Sequence, residues 1–490
     1  MEIKKYIDLN YLLRFAHLIV VVFALFVYKD NNDYVNSDTI LLLIAFSLVN
    51  QLILILEKKY SDPFIMVLMI NTFLFYIVRI LTLTISPWSV ALSRFPFSPE
   101  QLNSSIIFIM IANIAIVSGL IVAKRKKVSD IQSESTLPAS PGPIFIILLI
   151  SLFLNFSTVL KVGLLSRLAG FINSYFINIQ LLLLFTVIYL FVGYKHIGKM
   201  YRFILINLIM VYIILITLTG SRSALLTINI FILIGLLVVF QRIKLNTKIL
   251  VIIPIIIVGS VVLFLIATHI RKQDIERLII STKQLDIVKN YSIDNSNDNK
   301  DLFEELKTKL SPVFDRAGYL DYTAGIISNN EKYSKVINVE YYYKSFIDNV
   351  ISPGFNIFNA PKVSNALRGV YAGFSEFTYK ELSVAYQSDM LTLYGEYYVM
   401  FAGYFSIFVM FIFSLIFQRI YLSIKCRDIY IKYIYRALLL FVYYTWINSF
   451  GMDWLIADLV SVLITIILFQ GFYKMRIINA NNEICGVNNR

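Results

Sequence analysis

The stretch "FILINLIMVYIILITLTGSRSALLTINIFILIGLLVVFQ", Phe203 to Gln241, decides the fold. Two apolar runs flank a short break containing Gly220 and Ser221, and Arg222 beside them is the one charged residue in the whole stretch. Each run has about the 17–25 residues that a helix needs to cross a hydrocarbon core of about 30 Å. In lipid every backbone N–H and C=O needs a partner within the protein, and a helix satisfies them inside one segment. The stretch therefore predicts a hairpin of two membrane helices.

The same pattern recurs along the chain. Of 490 residues, 58% are hydrophobic and 15% charged, with a mean hydropathy of +0.72. A soluble domain has roughly 45–50% apolar and 25% charged residues. Apolar runs lie at Tyr11–Tyr28, Thr39–Leu56, Phe64–Ile85, Ser104–Ala123, Ile144–Leu160, Ile177–Tyr194, Phe203–Thr219, Ala224–Gln241, Ile249–His269, Leu391–Phe417, Ala437–Phe450 and Leu455–Tyr473, the eleventh being short. They predict an all-α polytopic membrane protein with about twelve transmembrane helices. No small-residue cleavage site follows the first run, which reads as a retained helix.

The net charge of +13 follows topology. With the N-terminus in the cytoplasm and crossings that alternate, the inner segments carry the whole positive excess and the remainder is slightly negative. Both termini are then cytoplasmic, and "AKRKK" (Ala123–Lys127) and "QRIKLNTK" (Gln241–Lys248) act as orientation signals. No basic, aromatic face of a soluble domain is left for nucleic acid. Cys426 and Cys485 both fall inside, so no outer disulfide framework is expected. His17, His196 and His269 lack metal-ligand spacing, and no P-loop or dinucleotide fingerprint occurs. No metal and no cofactor are expected.

The chain divides into four helices over 1–128, a Ser/Pro-rich cytoplasmic linker over 129–143, helices five to nine over 144–269, a large outer loop over 270–390, three helices over 391–473 and a cytoplasmic tail over 474–490. The loop has a nearly balanced 15 Lys/Arg and 16 Asp/Glu. A connection that long is functional or disordered. Asp294–Asp301 has the composition of a mobile tip, whereas Asp301–Phe314 has helical apolar spacing and a proline stop. The aromatic stretches "VEYYYKSF" (Val339–Phe346) and "VYAGFSEFTY" (Val370–Tyr379) suit either the lipid interface or stacking on flat apolar faces such as sugar rings.

In this topology Arg222 lies at the outer membrane surface, where the eighth helix begins. Unpaired N–H groups, the hydroxyls of Ser221 and Ser223 and the guanidinium together form a site suited to phosphate. A loop arginine that orients the hairpin is the competing reading. Arg271 and Arg277 follow the ninth helix, and Arg316 and Arg368 lie deeper in the loop. Arg79 and Glu396 stand inside apolar runs, where a charge is expensive without a partner or an internal cavity. Asp453 and Asp458 come at the turn into the last helix, and for Arg79 an ion pair with Glu396 or Asp458 is expected, with a direct role at the substrate as the competing reading. Outside a cell membrane, group transfer needs a substrate that arrives activated, such as a lipid diphosphate. Arginines would stabilise the departing diphosphate, and Glu396, Asp453 or His269 would receive a proton from the attacking hydroxyl.

At this point the chain resembles the Wzy-type oligosaccharide repeat-unit polymerases of O-antigen and capsular polysaccharide. The resemblance rests on the many-helix plan, "TGSRSALLT" at a helix hairpin, the long outer loop, "SPGFNIFNAPK" at Ser352–Lys362 and "SDMLTLYGEYYVMFAGY" at Ser388–Tyr404, and covers most of Ile144–Tyr473. It implies a metal-independent membrane glycosyltransferase of the GT-C type in the bacterial cytoplasmic membrane, its active site facing outward. The substrates would be undecaprenyl-diphosphate-linked oligosaccharides. Arg222 and Arg271 would be the first diphosphate ligands, with Arg277, Arg316 and Arg368 as helpers. Glu396 would be the base, with Asp453 second. Partners would be membrane lipid, a chain-length regulator and the flippase of the pathway. An O-antigen ligase uses the same donor, but its loop usually carries a late histidine, and none follows His269 here. A lipid-linked oligosaccharide flippase would favour inverted repeats and midplane charges, and neither is apparent.

Overall fold

The computed structural model describes residues 6–28, 33–85, 97–124, 149, 153, 179–193, 197–218, 222–240, 244–246, 259, 262–263, 265–266, 318–351, 357–372, 391–424, 429–448, 452 and 455–467. Within these the chain is an all-helical membrane protein apart from one short ladder. Among the described residues, five helices are long and apolar enough to cross a membrane: Leu9–Val27, Ser37–Lys58, Pro63–Thr84, Pro99–Lys124 and Phe405–Ser423. Leu183–Val192, Ile228–Phe240 and Leu455–Ile467 are shorter apolar helices. Their outer surfaces expose residues such as Phe26, at 83%, which suits lipid contact and not water.

Local sequence chemistry sets the first boundaries. Asp8 caps α1 (Leu9–Val27) by accepting from the Asn10 N–H. Asn36 and Thr39 form a capping box at the start of α2 (Ser37–Tyr60). Ser61 then takes a left-handed conformation, Asp62 caps α3 (Pro63–Thr72), and Pro63 occupies the first turn, where its missing N–H costs nothing. One π turn, Phe73–Ile77, leads into α4 (Val78–Ile85). α2 is tied to α5 (Pro99–Lys124) at both ends. Thr39 Oγ1 donates to Asn103 Oδ1 at 2.7 Å, and Lys124 Nζ meets Asp62 Oδ2 at 2.9 Å.

The central section supplies α6 (Ile179–Gly193), α7 (Lys199–Leu218) and α8 (Arg222–Phe240). α6 and α8 run in the same direction, with Phe191 and Phe240 in contact near their C-terminal ends. Two strands, β1 (Tyr6–Asp8) and β2 (Lys244–Asn246), pair antiparallel with Ile7 opposite Leu245. The start of α1 and the end of α8 therefore lie at the same end of the bundle.

The structure corrects three sequence expectations. The run Leu391–Phe417 is not one span: α13 (Leu393–Met400) ends at a turn where Ala402 and Gly403 have φ of 53° and 72°, and α14 (Phe405–Ser423) follows. The Gly403 N–H closes that turn by donating to Tyr398 C=O at 2.7 Å. The eleventh run is not short, since α15 spans Ile429–Asn448. It begins eight residues earlier because Tyr430 and Ile434 are buried and Arg436 sits over the Tyr421 ring, which accommodates its charge. Finally, part of the large loop packs into the bundle. Its described segments form α9 (Tyr319–Ser328), α10 (Asn330–Tyr333), α11 (Val339–Phe346) with a π turn at Ile347–Ile351, and α12 (Val363–Ala372). The linker 129–143, the polar tip Asp294–Asp301, the helix expected over Asp301–Phe314, His196, Cys426 and Cys485 lie outside the described residues.

Among the described helices α5 and α14 form the most extensive pair, and they run in parallel, with Phe108 against Tyr404 at one end and Gly119 against Phe411 and Ser414 further along. α15 runs against α14, since Phe417 meets Tyr443 and Phe413 stacks on Trp446. The α5–α14 approach depends on Gly119, where a Cβ would collide with Ser414 Oγ and stand 2.5 Å from the Phe411 carbonyl oxygen. Such close crossings at small residues are how membrane helices gain contact. Gly119→Ala should cost about 1–3 kcal/mol of stability. Gly198→Ala, at an open position, should change it by less than about 0.5 kcal/mol. Thermal unfolding of the two variants in one detergent checks this, and equal melting temperatures would remove Gly119 as the constraint.

Candidate functional site

α4 and α9 meet through a fully buried ion pair. Arg79 Nε donates to both Asp321 oxygens at 3.0 and 3.1 Å, Nη2 donates to Oδ2 at 2.6 Å, and Nη1 donates to Thr82 Oγ1 at 3.1 Å. The two side chains are 1% and 0% exposed. The expected ion pair of Arg79 thus exists with a different partner, and neither Glu396 nor Asp458 is that partner. Spacing could not reveal Asp321, which lies 242 residues away in a segment read as outer loop.

From this pair the structure leads to Glu396. On α9, Thr323 shares a hydrogen bond of 2.8 Å with Thr392, the N-cap of α13. Thr392 has a φ of 59° and accepts from the Gly395 N–H, which starts α13 abruptly and puts Glu396 in its first turn. Glu396 is buried. Its Oε1 accepts from the Tyr342 hydroxyl on α11 and from the Met452 N–H at 2.7 Å. Three segments distant in sequence converge on one carboxylate.

Aromatic groups form the surroundings. Trp446 Nε1 donates to Tyr397 Oη at 2.7 Å, and the Tyr397 hydroxyl donates to Met452 Sδ at 3.3 Å. Tyr394 donates to Asn113 Oδ1 at 2.5 Å, and Asn113 Nδ2 donates to Thr72 Oγ1 at 3.2 Å, which fixes α13 against α5 and α3. Asp348 receives the N–H groups of Phe358 and Ala360, with Ala360 at 2.7 Å, and so folds the chain that leads into α12. Asp458, on the helix Leu455–Ile467, accepts from Thr445 Oγ1 at 3.0 Å and lies in the field of Lys362.

Of the residues singled out from sequence, the structure brings Glu396 next to Tyr342 and residue 452 and gives Arg79 its own counter-ion. Arg222 is the first residue of α8 and Arg368 belongs to α12, while their side chains lie outside the description. Asp453, Arg271, Arg277, Arg316 and His269 lie outside the described residues. Sequence reasoning missed Asp321, Tyr342, Thr392 and Asp348. The available signal for Asp321 was a lone carboxylate in the apolar helical stretch "YLDYTAGII". Among the described residues no group of three or more His, Cys, Asp or Glu could hold a metal ion. No family model, no curated protein and no solved structure matches the chain.

A buried ion pair broken on one side leaves an uncompensated charge and costs about 3–5 kcal/mol, whereas replacing both partners by apolar groups is often neutral. Asp321→Leu and Arg79→Met should each destabilise the protein by about that amount, and the double variant should recover most of the loss. Thermal unfolding of the four proteins measures the coupling. Additive losses would show that the pair does not act as a unit.

Proposed function

We propose that this chain is a membrane glycosyltransferase that joins lipid-diphosphate-linked oligosaccharide units into a surface polysaccharide. Its fold would be of the GT-C type, with about twelve crossings, both termini cytoplasmic and the reaction on the outer face of a bacterial cytoplasmic membrane. The relative directions of α5, α14 and α15, and of α6 and α8, suit crossings that alternate, as does the β1–β2 ladder at one end of the bundle.

The observation that carries the reading is the carboxylate of Glu396, buried and oriented by two donors at the head of a helix that leads through four residues into a membrane span. A general base needs fixed geometry beside the hydroxyl it deprotonates. In the proposed reaction a sugar hydroxyl of the acceptor unit attacks the anomeric carbon of the donor. The new glycosidic C–O bond forms as the bond to the diphosphate breaks, and the diphosphate leaves with the bonding electrons. The hydroxyl proton passes to Glu396. Asp453, the residue after Met452, is the second choice for that role. Arg222 and Arg271 take the developing negative charge, with Arg277, Arg316 and Arg368 in support.

The test is the surface polysaccharide of cells lacking the protein, complemented with the native chain, Glu396→Gln or Arg222→Ala at equal membrane levels. Long chains should disappear in the deletion while single units stay on their acceptor. Glu396→Gln should lower the polymerisation rate about 10²–10⁴-fold. Arg222→Ala should lower it about 10²–10³-fold. Single units that vanish from the surface and collect inside would replace this reading with transport. Full restoration by Arg222→Ala would make that arginine an orientation signal.

A further inference from the structure

The helix α11 and its π turn are built inside out for a segment that faces water. The inward side carries Tyr342, Ser345 and Asp348, all buried. The outward side carries Val339, Tyr343 and Ile351, which are 70%, 59% and 63% exposed. Their spacing of four and eight residues makes one stripe along the helix. Ile357 and Phe358 are exposed next to it, and the ring of Phe358 lies 6.1 Å from that of Tyr343. A water-facing helix would place these groups the other way round, since contiguous apolar patches are rare on surfaces that meet only water.

We infer that this stripe lies in the membrane interface, with lipid headgroups and the upper acyl chains as its partner. The distance from a membrane-crossing helix argues for lipid. Tyr342, on the buried side of α11, is hydrogen bonded to Glu396 on α13, a helix of eight residues and about 12 Å. Only residues 401–404 separate α13 from α14, a candidate membrane span. Tyr404 before α14 and Phe405 and Phe408 at its start are themselves exposed and suit the same interface. Beside the stripe, Lys344 and Glu340 pair at 2.6 Å. A lysine there keeps its stem along apolar surface and its ammonium in water, the usual arrangement at a membrane rim.

The three tyrosines of "VEYYYKSF" take different places. Tyr341 donates to the Pro361 carbonyl at 3.2 Å, Tyr342 donates to Glu396, and Tyr343 is left for the interface.

The experiment places one environment-sensitive fluorophore on a single cysteine in the full-length protein, with Cys426→Ser and Cys485→Ser as background, in phosphatidylcholine vesicles. Labels on Tyr343→Cys and Ile351→Cys should be quenched several-fold more by lipids with brominated acyl chains than a label on Lys335→Cys, and several-fold less by aqueous iodide. Quenching by iodide equal to that at Lys335, with no effect of bromolipid, would overturn the inference. Protection from both quenchers would overturn it too, since the stripe would then be covered by protein.

Discussion

The arrangement of this protein depends on the pairing of Arg79 with Asp321. An arginine inside an apolar helix is expensive unless its charge is matched within the protein. Here the match comes from a segment 242 residues further along the chain, and it is bidentate and fully buried. The pair therefore does more than neutralise α4. It brings α9 down from the large loop into the bundle, where Tyr319 packs on Phe75 with ring centroids 4.5 Å apart and Thr323 reaches Thr392. Buried pairs contribute little to net stability against apolar substitutes, but they discriminate strongly against arrangements in which either charge lacks its partner. The pair thus adds a charge-matching requirement to the apolar packing of Leu320, Ala324 and Ile326, which also holds α9 in the bundle.

The rest of the site follows from that docking. With α9 fixed, Thr392 has a partner in its strained positive-φ conformation, and the helix that starts there has a defined first turn. Glu396 is in that turn. The hydrogen bonds from Tyr394 to Asn113 and from Trp446 to Tyr397 hold the same short helix against α5 and α15. In a low-dielectric interior each of these polar contacts is costly to leave unmade, so they specify position more than they add stability.

Much of the fold was legible in the sequence because membrane helices depend on run length and apolarity, which need no knowledge of neighbours. The runs at Tyr11, Thr39, Phe64 and Ser104 became helices with boundaries set by readable caps such as Asp8 and Asn36. Hydropathy was blind where a break is itself apolar. Met400, Phe401 and Ala402 continue the run over Leu391–Phe417, and the turn depends on a pair of left-handed residues that composition does not reveal. It was also blind at the start of α15, where Lys432 and Arg436 made a helical segment look like loop. The site was legible only in part. A glutamate in an apolar stretch marks a position, but its partners Tyr342 and Met452 come from segments whose approach is a tertiary fact.

Glu396 receives two donors from separate segments, and under the proposed function these would connect its chemistry to the membrane. Tyr342 is on the inner side of α11, whose outer stripe belongs in the lipid interface by the inference above. The level of α11 is then set by the bilayer, because raising it into water would expose Tyr343 and Ile351 and lowering it would bury Glu340 and Lys344. Through one phenol that level is passed to the carboxylate. A reaction at the headgroup of a lipid-linked sugar needs its base at a fixed height over the membrane, since the substrate's reactive carbon is held there by its own tail. Under the proposed function, loop residues that ride on the bilayer would supply that height directly. A base carried by a freely solvated loop would first have to find it.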